Sequence, residues 1–130
     1  MATVTPTLTL KSSDAFSDVI DFTVTDSLTT GAPSQSLTKV AIAASSGSAS
    51  TLVAAGSANQ YVFIRHTGYQ SDGTTATTNQ LAIELGGNTD LLRLSANEWC
   101  FFTSKSDEAV EALSSSSQTI IVEYAYWTQA

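Results

Sequence analysis

Residues 118–127, Gln118-Thr-Ile-Ile-Val-Glu-Tyr-Ala-Tyr-Trp127, decide the fold. Ile120, Val122, Tyr124 and Tyr126 fall on one side, and Ile121, Glu123, Ala125 and Trp127 on the other. Alternation of β-branched and aromatic residues with a period of two is the mark of a pleated strand packed against a core. Its place three residues from the end of the chain predicts a closing strand fastened into a sheet. Trp127 stands opposite the tyrosine face, so either the strand is buried on both faces or Trp127 meets a neighbouring subunit.

Working outward, the same alternation recurs along the chain. Thr3 to Leu10 places threonine at 3, 5, 7 and 9 and Val4, Pro6, Leu8 and Leu10 between them. Pro6 has no N–H to give a ladder, so this is an edge strand or an arm that leaves the body before pairing. Asp18 to Leu28 repeats the pattern, with Ile20, Phe22 and Val24 expected inward. Thr30-Gly-Ala-Pro-Ser34 reads as a turn before a strand over Leu37–Ala43. Ser45–Ser50 reads as a loop, Thr51–Val53 as a short strand and Gly56–Asn59 as a turn. Tyr61–His66 is nearly apolar, as in a central strand covered on both faces. Thr67–Thr78 is a long polar insert that should project. Strands follow at Gln80–Leu85, Asp90–Leu94 and Trp99–Phe102, with turns at Gly86–Asn88 and Ala96–Glu98. Asp107–Leu113 fits one helical turn or a short strand, and Ser114–Ser117 a turn. The expectation is a single all-β domain over 1–130, an antiparallel β-sandwich or jelly-roll-like barrel of about eight to nine short strands. Residues 1–11 would form a contacting or exchanging N-terminal arm.

Composition narrows the function. Serine and threonine supply 38 of 130 residues, while charged residues make up 13%, about half the usual share. Hydroxyls therefore carry much of the solvation. Twelve acidic residues against five basic ones give a net charge of -7. Lys11, Lys39, Arg65, Arg93 and Lys105 are scattered singly, so no cluster is suited to neutralising several phosphates, and nucleic acid is not the expected partner. No run of apolar residues has the length of a membrane-spanning helix. The N-terminus lacks the basic and apolar regions of a secretory leader. Cys100 has no partner for an internal disulfide, and beside Trp99, Phe101 and Phe102 it is expected to be a buried, inert thiol.

Groups for catalysis do not converge in the sequence. His66, the single histidine, is placed at a strand end near the surface, without an identifiable carboxylate or nucleophile to complete a proton relay. One histidine and one cysteine do not make a zinc site. Asp72-Gly73, or Asn88 with Asp90, supply oxygens of the kind calcium takes, but without spaced-aspartate patterning. They read instead as turn formers. Asp107, Glu108 and Glu111 form a solvated face, and Gly86-Gly87 lacks the lysine and helix start of a phosphate loop. The reading is a non-enzyme with no cofactor and no metal. Among the aromatics, Trp99, Phe101 and Phe102 are assigned to the core, and Tyr69 in the polar insert is the exposed contact.

Several elements, in order, resemble small virion structural proteins of tailed bacteriophages, especially those of marine and cyanobacterial phages. They are Thr5-Pro-Thr-Leu-Thr-Leu10 leading to Ser12-Ser-Asp14, then Tyr61-Val-Phe-Ile-Arg-His-Thr-Gly68, then Leu94-Ser-Ala-Asn-Glu-Trp-Cys-Phe-Phe102, and a closing Val122-Glu-Tyr124. Asn97-Glu98 replaces the more usual Gly-Glu turn, and the Thr67–Thr78 insert is long for the group. The resemblance implies a particle component in many copies, a head decoration or cement protein bound to the major capsid protein, and localisation in the virion assembled in the host cytoplasm. A tail or baseplate component is the nearest alternative, and a carbohydrate-binding module using Tyr69 the alternative from another class. The expected partners are other virion proteins and further copies in a symmetric homo-oligomer, with no membrane. Val4, Pro6, Leu8, Tyr69 and Trp127 are the candidate interface residues, chosen from edge-strand and exposure arguments.

Overall fold

A computed structural model describes residues 2–15, 17–43, 48–87 and 90–130. It is an all-β, sandwich-like fold of eleven strands, two or three more than expected. The surplus arises at the N-terminus and at Asp107–Leu113. Pro6 splits the first alternating segment into β1 (Ala2–Val4) and β2 (Thr7–Ser12). Next come β3 (Ile20–Thr25), the long β4 (Leu28–Ile42) and the short β5 (Ser50–Val53). After them run β6 (Gln60–Gln70), β7 (Leu81–Leu85), β8 (Leu92–Leu94) and β9 (Trp99–Ser104). Asp107–Leu113 resolves as strand, β10 (Val110–Ser114), and β11 (Ile120–Gln129) closes the fold.

One antiparallel sheet has the order β1-β4-β11-β6-β9, a second β5-β10-β7-β8, and β2 and β3 form a separate two-stranded ribbon. The five-stranded sheet contributes Ile42, Val62, Ile64, Ile120 and Val122 to the core. Leu52, Val53, Leu81, Ile83, Leu94, Val110 and Ala112 meet them from the four-stranded sheet. Aliphatic side chains from two inner faces interdigitate in this way in packed sheets. The tyrosine side of β11 points into this layer, with Tyr124 and Tyr126 packed against the core. β11 is not an edge but the central strand, paired with β4 on one side and β6 on the other.

The expected turn at Thr30–Ser34 is instead the interior of β4. Trp127 pairs with Ser34 and Thr128 with Gly31, so Ala32 and Pro33 are extra residues bulged out of the ladder. Proline cannot donate to a ladder, and a bulge is the place where a strand tolerates it. The Ala32–Pro33 peptide is cis. Ser34 Oγ donates to Gly31 O at 2.7 Å, and Thr128 Oγ1 donates to Pro33 O, which stitches the bulge to the strand.

The Thr67–Thr78 insert projects less than its composition predicts. β6 continues through Gln70, and Gln70 N donates to Thr75 O at 2.8 Å across a tight reversal. Against β11, Ile120 pairs with Gln70 and Val122 with His66, so β6 bulges here as well. Gly68 takes φ +85° within that bulge, with Asn97 Oδ1 3.0 Å from where a Cβ would stand. Only glycine meets both conditions without strain. The loop expected at Ser45–Ser50 and the turn at Gly86–Asn88 lie partly outside the described residues.

Candidate interaction surface

The outer face of the five-stranded sheet follows directly from register. On β9 the residues Cys100 and Phe102 turn toward the core, so Trp99, Phe101 and Thr103 must point away from it. Opposite them on β6 lie Arg65, Phe63 and Tyr61, and the next strand, β11, adds Glu123, Ala125 and Trp127. Three rows result, running across the strands: Trp99–Arg65–Glu123–Lys39, Phe101–Phe63–Ala125, and Thr103–Tyr61–Trp127. The rings of Phe63 and Trp99 are tilted against each other at a centroid distance of 6.3 Å. Trp99 is 53% exposed, which corrects its assignment, with Phe101, to the core. Adjacent residues of a strand face opposite ways. Phe101 and Phe102 therefore could not both be core, and that signal was present in the sequence.

The N-terminal arm crosses this face. Val4, Pro6 and Thr7 join Phe63, Arg65, Asn97, Trp99, Phe101 and Trp127 around an open groove of about 650 Å³. A second cleft of about 450 Å³ separates Leu8 and Val24 from Tyr61, Trp99 and Phe101. Asp26 N donates to Pro6 O at 3.2 Å and ties the arm to the start of β4. The structure thus brings Val4, Pro6 and Trp127 to one groove, with Leu8 across the neighbouring cleft. Tyr69, 44% exposed, is not among them. It lines a separate depression with Lys39, Arg65, Thr67, Asp72 and Glu123.

Beyond the arm, among the described residues, β2 and β3 pair only with each other. One side of this ribbon is a hydroxyl ladder, Thr7 with Thr25 at 3.1 Å and Thr9 with Thr23 at 3.0 Å, extended by Lys11 and Asp21 at 3.6 Å. The other side carries the cross-strand pairs Leu8–Val24 and Leu10–Phe22. The face of each residue agrees with its alternation, but the expected burial of Phe22 and Val24 does not hold. They are 45% and 57% exposed, and Leu8 and Leu10 are 40% and 45% exposed, because the described residues face that side only across the open cleft that Leu8 and Val24 share with Tyr61, Trp99 and Phe101. A two-stranded ribbon is marginal in water unless its apolar face is packed.

The groups considered for chemistry are occupied by structural work. His66 is fully buried rather than near the surface, because it continues the inward series Val62, Ile64, His66 along β6. Gly68 N donates to its Nδ1 at 2.9 Å. Nε2 therefore carries the proton and donates to Asn79 O at 2.8 Å. The Asp72 carboxylate accepts from Thr74 N, Thr75 N and the Thr75 hydroxyl. Those bonds, that of the Thr75 hydroxyl first, hold its pKa down at about 2. Asp90 pairs with Arg93, Glu108 with Lys105 at 3.1 Å, and Glu111 accepts from Thr51 at 3.4 Å. Asn88 lies outside the described residues. Among the described residues no three His, Cys, Asp or Glu side chains gather as a metal site, and no helix is long and apolar enough to cross a membrane. Cys100 is half-buried against the core, and burial pushes its thiol up to about 11.

Comparison with protein-family models, curated proteins and solved structures finds no match to this chain.

Proposed function

We propose that this chain is a structural component of a bacteriophage virion, a decoration or cement protein that binds and stabilises the head lattice. The observation that carries the reading is the uncovered β2–β3 ribbon. Four large apolar side chains on one side of a two-stranded element make sense as a surface completed in an assembly. The aromatic groove beside the N-terminal arm supplies a second such surface. The sequence resemblance to small virion proteins supplies the kind of assembly. A tail or baseplate position uses the same surfaces at lower copy number.

Quantitative mass spectrometry of purified particles separates the two positions. A symmetric head lattice calls for copies on the order of hundreds, whereas a tail ring calls for copies on the order of ten. Removing residues 2–11 should leave the sandwich folded and the chain missing from particles. Normal incorporation of that truncated chain would refute the reading. Carbohydrate binding is favoured by one observation, the half-exposed Tyr69 ring among the polar groups of Lys39, Arg65 and Thr67. Glycan-array binding that is lost in Tyr69→Ala would establish it in place of the lattice role.

A further inference from the structure

The cleft between the β2–β3 ribbon and the five-stranded sheet measures about 450 Å³, a size suited to a small ligand. Register builds its sheet wall. Tyr61 on β6 and Trp99 and Phe101 on β9 all lie on the outer face, Phe101 diagonal to Tyr61 across the ladder. Tyr61 is buried and forms the floor, while the exposed Trp99 stands at the mouth. Leu8 and Val24 make the opposite wall, and Asp26 sits at the ribbon's base. We propose that this cleft binds a small quaternary ammonium cation of the choline kind, seated between the three rings and the Asp26 carboxylate. The site is built within one chain and stands apart from any role in a particle.

The lining selects a cation. Asp26 is the one charged side chain among the described residues that border the cleft. Its Oδ1 accepts from Ser27 N at 2.7 Å, which orients the carboxyl group. Among the described residues, no lysine or arginine forms a salt bridge with it. Arg65 borders the neighbouring groove instead, with its guanidinium 3.6 Å from Glu123. Aromatic faces are the negative side of the ring quadrupole, so three rings beside a carboxylate favour positive charge. An anion is repelled there, and by a chain of net charge -7 as a whole. A neutral apolar molecule fits the walls but gains nothing from Asp26 and strips part of its water.

Hydration selects the kind of cation. Calcium takes about six to eight oxygens, whereas the cleft offers one carboxylate and the hydroxyls of Thr7, Tyr61 and Thr103. A primary ammonium is compact and strongly hydrated, with three donors that this apolar lining leaves unsatisfied. A trimethylammonium group has no N–H to satisfy. Its methyl groups pack on Leu8 and Val24 while its charge meets the ring faces.

The test is an NMR titration of the purified chain with choline chloride, at an ionic strength held constant with sodium chloride. Choline should shift the amides of Asp26, Tyr61 and Phe101 and the indole N–H of Trp99. The shifts should saturate with a Kd of about 1–10 mM, as suits a few solvent-exposed cation–π contacts. The neutral isostere, in which carbon replaces the ammonium nitrogen, should bind at least about tenfold more weakly. Asp26→Asn keeps an acceptor for Ser27 N and removes the charge, and Trp99→Leu removes the ring at the mouth. Each should weaken choline about five- to tenfold in a chain whose spectrum is otherwise unchanged. The isostere comparison needs no variant, so it decides even where a substitution disturbs folding. No saturable shift at about 50 mM choline, equal affinity for the isostere, or unchanged affinity in folded Asp26→Asn overturns the proposal. Binding to phosphatidylcholine vesicles without binding to free choline also overturns it, since a headgroup layer would then be read by another surface.

Discussion

Replacing His66 by leucine should cost about 3 kcal/mol, and the figure can be built from its two hydrogen bonds. The ring is fully buried, accepting from Gly68 N and donating to Asn79 O. Asn79 stands just ahead of β7, so this side chain links the five-stranded sheet to the four-stranded one. Leucine fills most of the space and limits any cavity penalty, but it leaves the buried Gly68 N–H and the part-buried Asn79 carbonyl without their His66 partner. Each such orphan costs about 1–3 kcal/mol, less whatever water recovers. With an urea m-value of about 1.5–2 kcal/mol per molar, the midpoint should fall by about 1.5–2 M. The melting temperature should drop by about 10 °C for a domain of this size. Urea titration followed by tryptophan fluorescence reads the midpoint, since Trp99 and Trp127 both lie on the five-stranded sheet. Tyr69→Phe, at an exposed position of the same strand, should stay within about 0.5 kcal/mol of wild type. A loss below about 1 kcal/mol for His66→Leu would refute the claim that the ring is a clasp between sheets.

Three further outcomes follow from single residues. Gly68→Ala should destabilise by about 1–2 kcal/mol for the left-handed backbone alone, with the Asn97 side chain also forced aside, and the same urea titration measures it. Asp72 has a folded-state pKa of about 2, below its unfolded value, so its hold on Thr74 and Thr75 is complete above about pH 4 and is lost as pH falls through about 2. Amide shifts of Thr74 and Thr75 followed by NMR should titrate in that window; a midpoint near 4 would contradict the hydrogen-bond account. With its thiol raised from 9.0 to about 11, Cys100 should react with a thiol reagent at pH 8 about 100-fold more slowly than in the urea-unfolded chain, from thiolate fraction alone. Equal rates would show the thiol to be solvated.

Much of the fold was legible because alternation states which residues share a side. Phe22 and Val24 were correctly placed together, as were Tyr124 and Tyr126. Alternation does not state which side meets a core, since that depends on the layers packed above and below. This is why Phe22 was expected inward, and why Trp99 and Phe101 were assigned to the core although Phe102 already occupied its inward position. His66 failed for a related reason: a polar residue after an apolar run looks like a strand end, yet its partners come from a glycine two residues on and a carbonyl thirteen residues on. Pro33 looked like a turn because bulge and turn share the same residue chemistry, and only register separates them. Of the candidate contacts, Val4, Pro6 and Trp127 were chosen by different arguments and meet at one groove, whereas Tyr69 lies apart.

The groove also explains why Trp127 sits on the side of β11 away from the tyrosines. In a plain sandwich, the outer face of a central strand meets water and carries polar residues. Here Ala125 on that face is only 2% exposed, flanked by Phe63 across the ladder and by Trp127 two residues on. Val4 and Pro6 reach over the same area. The arm is therefore a partial third layer, covering one end of the outer face and leaving Trp99 bare at the other. Pro6 makes the arrangement possible: without an N–H it ends the pairing of β1 with β4 and sends the chain off the sheet into β2. A single proline thus separates two tasks within one alternating segment. Residues 2–4 close the sheet edge, and residues 7–12 build the ribbon whose apolar side borders the open cleft.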